Sequence, residues 1–141
     1  MKYKRGKTIY LSGGMTSLSK EEQNKWREDM ILAFSEEYHL NLFNPCRHWD
    51  VEDPSVNERA AMDYDLYRLR QSDVVVVNFN APQSIGTAME QSIAYELRIP
   101  IIGLNEGENR LHPWQELMCS EIFEDMDDLI DYLYDHYVYE D

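Results

Sequence analysis

The stretch that decides the fold runs from Asp73 to Glu90. It reads Asp73-Val74-Val75-Val76-Val77-Asn78-Phe79, followed by Asn80-Ala81-Pro82-Gln83-Ser84-Ile85-Gly86-Thr87-Ala88-Met89-Glu90. Residues 73–79, with four consecutive valines, predict a continuous buried run, which is typical of a strand buried on both faces of a parallel sheet. A helical pattern over residues 87–97 follows the turn. The turn therefore lies just past the carboxyl end of a buried strand, where open α/β sheets bind their ligands.

Strands and helices alternate along the rest of the chain. The patterns predict further strands at residues 7–12, 40–43, 100–104 and 121–123, and further helices at residues 19–38, 57–71 and 127–137. Ser19 and Glu22 form a capping-box pattern at the start of the first helix. The alternation predicts a single α/β domain over residues 1–141. We expect a doubly wound, flavodoxin-like or Rossmann-like three-layer domain with about five parallel strands.

Composition excludes several classes of function. The formal net charge of −14 over 141 residues disfavours binding to a nucleic acid polymer or an anionic membrane. No apolar run is long enough to span a bilayer, so we expect a cytoplasmic protein. Cys46 and Cys119 lack the partners and spacing of a zinc site, and the four histidines share no spacing. We therefore predict no metal and no cofactor.

Glu90 is the first candidate catalytic residue. Helical spacing places it in the first turn of helix 87–97, on one face with Ile93, Ala94 and Leu97. A carboxylate on a stripe that packs against the sheet is costly unless it has a partner or a function. The positive end of the helix dipole would favour its ionised form. These features predict a nucleophile at the edge of a pocket.

Two more segments should reach the same edge of the sheet. Asp65 lies on the apolar face of helix 57–71, where it either takes part in catalysis or has a structural role, pairing with a nearby cation or capping a loop. The segment Tyr10-Leu11-Ser12-Gly13-Gly14-Met15-Thr16-Ser17 follows the first strand, and its glycines would let backbone N–H groups approach an anion. An ordinary strand-to-helix turn is the alternative. Neither a dinucleotide fingerprint nor a Walker A lysine is present.

The turn before Glu90 is a third candidate. Ser84 and Gly86 precede a helix N-terminus, which is a ready site for an anion, although Ser84 or Thr87 could equally serve only as the helix cap. Tyr10, Trp49 and Trp114 are candidates for lining a base pocket, with burial in the core as the alternative.

Together these segments resemble the nucleoside 2-deoxyribosyltransferase-like superfamily. That superfamily contains nucleoside 2-deoxyribosyltransferases, 2′-deoxynucleoside 5′-monophosphate N-glycosidases and pyrimidine-nucleotide hydrolases. The resemblance covers nearly the whole chain. It is carried by the Tyr-Leu-Ser-Gly-Gly-Met-Thr start, by Asp65-Leu66 ahead of the strand at residues 72–76, and by Ser84-x-Gly86-x-x-x-Glu90.

The resemblance implies a role for each matched residue. Glu90 takes the position of the nucleophile that attacks C1′ of a 2-deoxyribosyl group. Asp65 takes the position of the acid that helps protonate the leaving base and later activates the acceptor. Tyr10 matches the pocket tyrosine. Gly13, Gly14, Met15, Thr16, Ser84 and Gly86 are the expected substrate-binding residues.

Ser84 discriminates between branches of that superfamily. Transferases usually carry an acid at this position, whereas the monophosphate hydrolases carry a serine that binds the 5′-phosphate. The resemblance therefore implies a small nucleotide as substrate and hydrolysis to free base and deoxyribose 5-phosphate through a glycosyl-Glu90 intermediate. The chain departs from those hydrolases at Gly14 and Thr16, where they have a serine and an arginine.

Other interpretations remain open at this stage. The chain could be a deoxyribosyltransferase that exchanges bases, a non-catalytic nucleotide-binding or sequestering module, or a scaffold with an empty pocket. Phosphoribohydrolases related to lysine-decarboxylase-like proteins share Gly86-Thr87-x-x-Glu90 but have a preceding glycine pair that is absent here. A homo-oligomer is expected, because pockets in the superfamily are completed at a subunit interface. The tyrosines at positions 132, 134, 137 and 139 would supply apolar surface for that interface.

Overall fold

The computed structural model describes residues 2–3, 6–16, 18–47, 53 and 55–140. Its centre is a parallel sheet of five strands, in the order β3-β2-β4-β5-β6. The strands are β2 (Lys7–Gly13), β3 (Leu40–Phe43), β4 (Val74–Asn78), β5 (Ile101–Leu104) and β6 (Glu121–Phe123). The helices are α1 (Lys20–Ala33), α2 (Glu58–Arg70), α3 (Ile85–Glu96), α4 (Pro113–Met118) and α5 (Met126–Leu133). The predicted α/β fold with about five parallel strands is confirmed.

A second, two-stranded sheet joins the ends of the described chain. Strand β1 (Lys2–Tyr3) pairs antiparallel with β7 (Tyr139–Glu140). The sequence analysis missed this sheet because two-residue strands carry no periodic signal. Among the described residues, no helix has both the length and the apolar character needed to cross a membrane.

The two faces of the sheet are covered by different helices. On β2, Ile9 and Leu11 belong to the core beneath α1 and α5, whereas Tyr10 packs in the second core with residues of α2 and α3. Side chains two residues apart on a strand share a face. Ser12 therefore points to the same side as Tyr10, and this alternation sends two hydroxyl groups from β2 towards α3.

Several element boundaries differ from the predicted ones. Helix α1 ends at Ala33 and not near residue 38. The N–H groups of Phe34 and Ser35 bond to the carbonyls of Ile31 and Leu32, three residues earlier, which closes the helix with a tighter turn. Glu36 and Glu37 would add negative charge at the carboxyl end of a longer helix, where the dipole is already negative. Helix α4 was missed, although Pro113 at its first turn and the capping side chain of His112 mark its start.

The carboxyl-terminal tyrosines are used within the chain. Helix α5 continues as a wide turn over Tyr134–Val138, and the tyrosines pack against the core beneath α1. The ring of Tyr134 stacks on Phe34 with centroids 4.7 Å apart, and its hydroxyl donates to the Ala33 carbonyl at 2.9 Å. This packing removes much of the apolar surface that was expected to be available to another subunit.

The strand order reverses between β2 and β4, and the loops after these two strands touch. Gly14 is buried there, and its N–H donates to Asn80 Oδ1 at 3.4 Å. A Cβ atom at position 14 would lie 2.5 Å from the Cβ of Ala81 and 3.3 Å from Leu18 Cδ1. Because a Cβ atom is fixed to the backbone, only glycine lets the two loops come this close.

We therefore predict that Gly14→Ala destabilises the fold. Relief of the overlap requires one loop to shift, which should lower the free energy of unfolding by about 1–3 kcal/mol. Urea denaturation followed by circular dichroism measures this change. The matched control is Gly86→Ala, since a Cβ atom at position 86 meets no heavy atom within 4 Å. Equal stability of the two variants would contradict the predicted overlap.

Candidate active site

A cavity of about 600 Å³ opens at the carboxyl edge of the sheet. It lies between the loop after β2, the turn after β3, helix α2 and the first turns of α3. Its lining residues are Gly13, Met15, Thr16, Arg27, Pro45, Met62, Asp65, Leu66, Ser84, Gly86, Thr87, Met89, Glu90 and Ile93. Seven of the nine predicted site residues are therefore in the lining, the exceptions being Tyr10 and Gly14.

Both oxygens of Glu90 accept a hydrogen bond from β2. The Tyr10 hydroxyl donates to Oε2, and the Ser12 hydroxyl donates to Oε1 at 3.0 Å. Tyr10 is fully buried and does not line the cavity, contrary to the expectation that it would be a pocket tyrosine. The carboxylate is thus held by two donors on one strand, and it is itself only half-buried at the cavity wall.

The electrostatic surroundings of Glu90 act in opposite directions. Burial raises the pKa of Glu90 above its ordinary value, while the hydrogen bonds from Tyr10 and Ser12 and the charge of Arg27 lower it. Burial also raises the pKa of Tyr10 well above its ordinary value, and the negative charges of Glu90 and Asp65 add to this rise. Tyr10 therefore remains protonated and continues to act as a donor.

The position of Glu90 along α3 differs from the predicted one. The helix starts at Ile85, so Glu90 is its sixth residue and not part of the first turn. The influence of the helix dipole falls off within that first turn. The predicted placement of Glu90 in the first turn is therefore wrong, and the groups that favour its ionised form are Tyr10, Ser12 and Arg27.

The N-terminus of α3 lies at another part of the cavity wall. Ser84 is the cap residue, and its hydroxyl oxygen accepts from Thr87 N–H at 3.4 Å and from Thr87 Oγ1 at 2.9 Å. With its oxygen accepting these bonds, the Ser84 hydroxyl can point its own proton towards a bound acceptor. Gly86 has open space where a side chain would be. The cap and anion-site interpretations of this turn are therefore compatible.

Apolar side chains form much of the remaining wall. These are Met15, Pro45, Met62, Leu66, Met89 and Ile93. The sequence analysis assigned only Met15 among them to the site, because apolar residues on α2 and α3 read as core from their spacing alone. Asp65 is half-buried in the same wall, so α2 brings a second carboxyl group to the cavity that holds Glu90.

The loop after β2 contributes less than predicted. Met15 and Thr16 line the cavity, and Gly13 lies at its floor. Gly14 does not reach the cavity, because it packs against Ala81 and gives its N–H to Asn80. The predicted anion nest thus loses one of its amides to a contact between loops. Ser17, His48 and Trp49 lie outside the described residues.

Arg27 is the functional candidate that sequence analysis missed. It is 1% exposed, although it lies on α1, where a single arginine in a polar helix suggests a solvated face.

Trp114 was predicted to lie either in the base pocket or in the core. Its side chain is 70% exposed on α4 and is absent from the cavity lining, so it is neither core nor pocket.

The described residues contain no group of three or more His, Cys, Asp or Glu side chains placed to hold a metal ion. Cys46 and Cys119 are free thiols, Cys46 beside Arg27 and Cys119 beside Gln91. The polar groups that remain in the cavity are hydroxyls, carboxyls and a guanidinium. This set suits acid–base and nucleophilic chemistry on an organic substrate.

Solved structures share this fold over nearly the whole chain. A 2-deoxyribosyltransferase from Bacillus psychrosaccharolyticus superposes with a TM-score of 0.75 at 18% identity, covering 94% of this chain and 99% of its own. A 2-deoxyribosyltransferase from Leishmania mexicana gives 0.66 at 14% identity, covering 92% and 98%. A CMP N-glycosidase from Clostridium botulinum gives 0.57 at 19% identity, covering 90% and 97%. At these identities the likeness establishes the fold.

Sequence comparison adds the family. No curated protein matches the chain significantly. The family model described as nucleoside 2-deoxyribosyltransferase like matches residues 6–108, which include β2, α2, the turn before α3 and Glu90. The chain is therefore an enzyme that belongs to the nucleoside 2-deoxyribosyltransferase-like family.

Proposed function

We propose that this enzyme hydrolyses the N-glycosidic bond of a 2′-deoxynucleoside 5′-monophosphate, releasing the free base and deoxyribose 5-phosphate. Family membership supports the coarser statement, a glycosyl-transfer or N-glycosidase activity on nucleosides or nucleotides. The observation that carries the finer proposal is the pair of hydrogen bonds that the buried residues Tyr10 and Ser12 donate to Glu90. These bonds fix a carboxylate at the wall of a cavity that also contains Asp65.

The first step forms a covalent intermediate. A Glu90 oxygen attacks C1′, the bond from C1′ to the base nitrogen breaks, and the electron pair of that bond leaves with the base. Asp65 supplies the proton that neutralises the leaving base. Each carboxylate oxygen of Glu90 keeps a free lone pair after accepting one hydrogen bond, so the restraint by β2 does not block attack.

The second step restores the enzyme. Water attacks C1′ of the glycosyl ester, Asp65 accepts its proton, and the C1′–O bond to Glu90 breaks. Positive charge develops on the sugar ring in both steps, and the two carboxyl groups stabilise it. Use of two carboxyl groups in this way is the logic of retaining glycoside cleavage.

The N-terminus of α3 is the proposed phosphate subsite. The Ser84 hydroxyl can donate to a phosphate oxygen, and the helix end favours negative charge. Gly86 leaves space for the ligand at the same turn. The apolar wall of Met62, Leu66 and Met89 would then cover the faces of the base and limit access of water to the glycosidic bond.

A second candidate activity is transfer of the deoxyribosyl group to another base. The apolar wall favours this possibility, since a cavity of about 600 Å³ with apolar sides could hold an incoming base after the first has left. Adding an acceptor base to the assay distinguishes the two. Formation of a new nucleotide indicates transfer, and deoxyribose 5-phosphate alone indicates hydrolysis.

We predict that Glu90→Gln loses base release while keeping the fold. The amide cannot act as nucleophile, so kcat/KM should fall by at least about a thousand-fold. Chromatography of free base from the four deoxynucleoside monophosphates and the corresponding nucleosides measures this loss. Glu96→Gln is the matched control, because Glu96 is exposed on the same helix. Unchanged turnover by Glu90→Gln would exclude Glu90 as nucleophile.

The phosphate subsite generates a separate prediction. Ser84→Ala should lower kcat/KM for the monophosphate by about tenfold, the size of one hydrogen bond to a charged group. The same change should alter kcat/KM for the nucleoside by less than about threefold, because that substrate brings no charge to the turn. Ser92→Ala, exposed on α3, is the control. Equal losses for both substrates would contradict the subsite.

We also propose that a second copy of the chain covers the cavity mouth. Met62 and Met89 of the cavity wall are 48% and 61% exposed, and Ile85, between the wall residues Ser84 and Gly86, is 72% exposed. Helix α4, which contacts α3, adds Trp114 and Leu117, which are 70% and 79% exposed. Apolar surface gathered around a cavity is the kind of face that an interface buries. A covered mouth would also exclude water from the reacting sugar.

Light scattering tests the proposed oligomer. The wild-type chain should have at least twice the mass of one chain, and Trp114→Glu should shift the population towards the monomer because a buried charge opposes association. Glu121→Lys, a charge change at the exposed start of β6, is the control. A monomeric wild-type protein at assay concentration would contradict the proposal.

A further inference from the structure

Arg27 is the charged side chain whose burial needs an explanation. It is 1% exposed, and no carboxylate among the described residues forms a direct ion pair with it. Burying a charge without a direct counter-ion is costly, so such a residue persists where it satisfies several groups. Four hydrogen-bond contacts of its guanidinium identify those groups.

The guanidinium supplies hydrogen-bond donors to the carboxyl end of β2. The last pair between β2 and β3 is Tyr10 with Phe43, so β2 continues for three more residues without β3 beside it. Arg27 Nε donates to the Leu11 carbonyl at 3.1 Å, and Nη2 donates to the Gly13 carbonyl at 3.2 Å. Buried carbonyls need a partner, and the arginine supplies one where the neighbouring strand has ended.

These two carbonyls flank Ser12, the residue whose hydroxyl bonds to Glu90 Oε1. Arg27 therefore holds the peptide groups on both sides of that donor. The third nitrogen of the guanidinium is held as well, because Nη1 donates to the Gln23 carbonyl and lies 3.4 Å from Cys46 Sγ. Its guanidinium carbon also lies 4.8 Å from the centroid of the Trp26 ring.

The positive charge of Arg27 favours the ionised form of Glu90. Titratable and charged groups around Glu90 are Tyr10 from β2, Arg27 from α1 with Cys46 beside it, and Asp65 from α2. Burial raises the pKa of the Cys46 thiol and of the Tyr10 phenol, so both stay neutral and do not neutralise the guanidinium. The carboxylate whose charge acts on Arg27 is Glu90.

We propose that Arg27 is the positioning residue of this site, fixing the strand end that carries Ser12 and supplying a positive charge that favours the ionised form of Glu90. The inference rests on the proposed role of Glu90 as nucleophile. Arg27 lines the cavity floor but acts through Ser12 and Glu90, so its removal should affect kcat more than KM.

Two substitutions separate the charge from the hydrogen bonds. Arg27→Met keeps much of the side-chain length and loses both, whereas Arg27→Lys keeps the charge and cannot bridge two carbonyls in the same fixed geometry. Arg47→Met is the matched control. Arg47 follows β3, is 52% exposed, and pairs with Glu28 at 2.8 Å.

The first readout does not depend on activity. Carbon-13 NMR of labelled glutamate follows the titration of the Glu90 carboxyl, which is assigned by its disappearance in Glu90→Gln. We expect Arg27→Met to move this titration upward by about one pH unit or more, because a nearby opposite charge has been removed. Arg27→Lys and Arg47→Met should stay within about half a unit of the wild type, since neither removes the charge beside Glu90.

The second readout is the pH profile of kcat/KM for base release. Activity should fall as the pH drops through the Glu90 titration, because only the ionised carboxylate attacks. For Arg27→Met this acid limb should move upward together with the NMR titration. Arg27→Lys should keep the limb in place and lose about tenfold in kcat, as expected when a catalytic group is less well held.

The outcomes are distinct for the two proposals. If the wild type releases no base, the proposed function fails, and the NMR titration still decides the role of Arg27. A folded Arg27→Met variant whose Glu90 titrates as in the wild type overturns the inference. Loss of folding in both Arg27 variants, seen by circular dichroism, also overturns it, because it would assign Arg27 to the fold alone.

Discussion

The site depends on one restraint, the pair of hydrogen bonds that join the end of β2 to Glu90 on α3. Tyr10 and Ser12 can both reach the same carboxylate because residues two apart on a strand share a face. Burial disfavours the charged form of the carboxyl group, which raises the pKa of Glu90. The two donors and the charge of Arg27 offset part of that effect. The result is a carboxylate with a set orientation at the edge of an apolar cavity.

The architecture around that restraint explains why the site lies where it does. Strand order reverses between β2 and β4, so the chain diverges to opposite sides and leaves a crevice at the carboxyl edge. Gly14 lets the loops that follow these two strands touch. Helices α2 and α3 then bring Asp65 and Glu90 to the same cavity from one side of the sheet. The order of the strands thus determines both where the cavity lies and which carboxyl groups line it.

The sequence predicted the parts of this arrangement that have a periodic signal. The valine run of β4 and the alternation of strands and helices were sufficient for the parallel sheet, and the misplaced acids Asp65 and Glu90 indicated the cavity. Contacts between distant segments carry no such signal. The Ser12–Glu90 bond joins residues 78 positions apart, and the packing of Gly14 on Ala81 depends on two loops meeting in space. Arg27 was missed for the same reason, since two of its three carbonyl partners, Leu11 and Gly13, belong to another element.

The most direct test of the account is a search for the glycosyl ester on Glu90. A 2′-fluorinated deoxynucleoside monophosphate should react and then stall, because the electron-withdrawing fluorine destabilises the charge that develops in each step. Mass spectrometry of the digested enzyme should find the mass of the fluorinated sugar phosphate on the peptide containing Glu90, and none in Glu90→Gln. Release of base from the natural substrate with the trapped sugar on another residue would contradict the assignment of Glu90 as nucleophile.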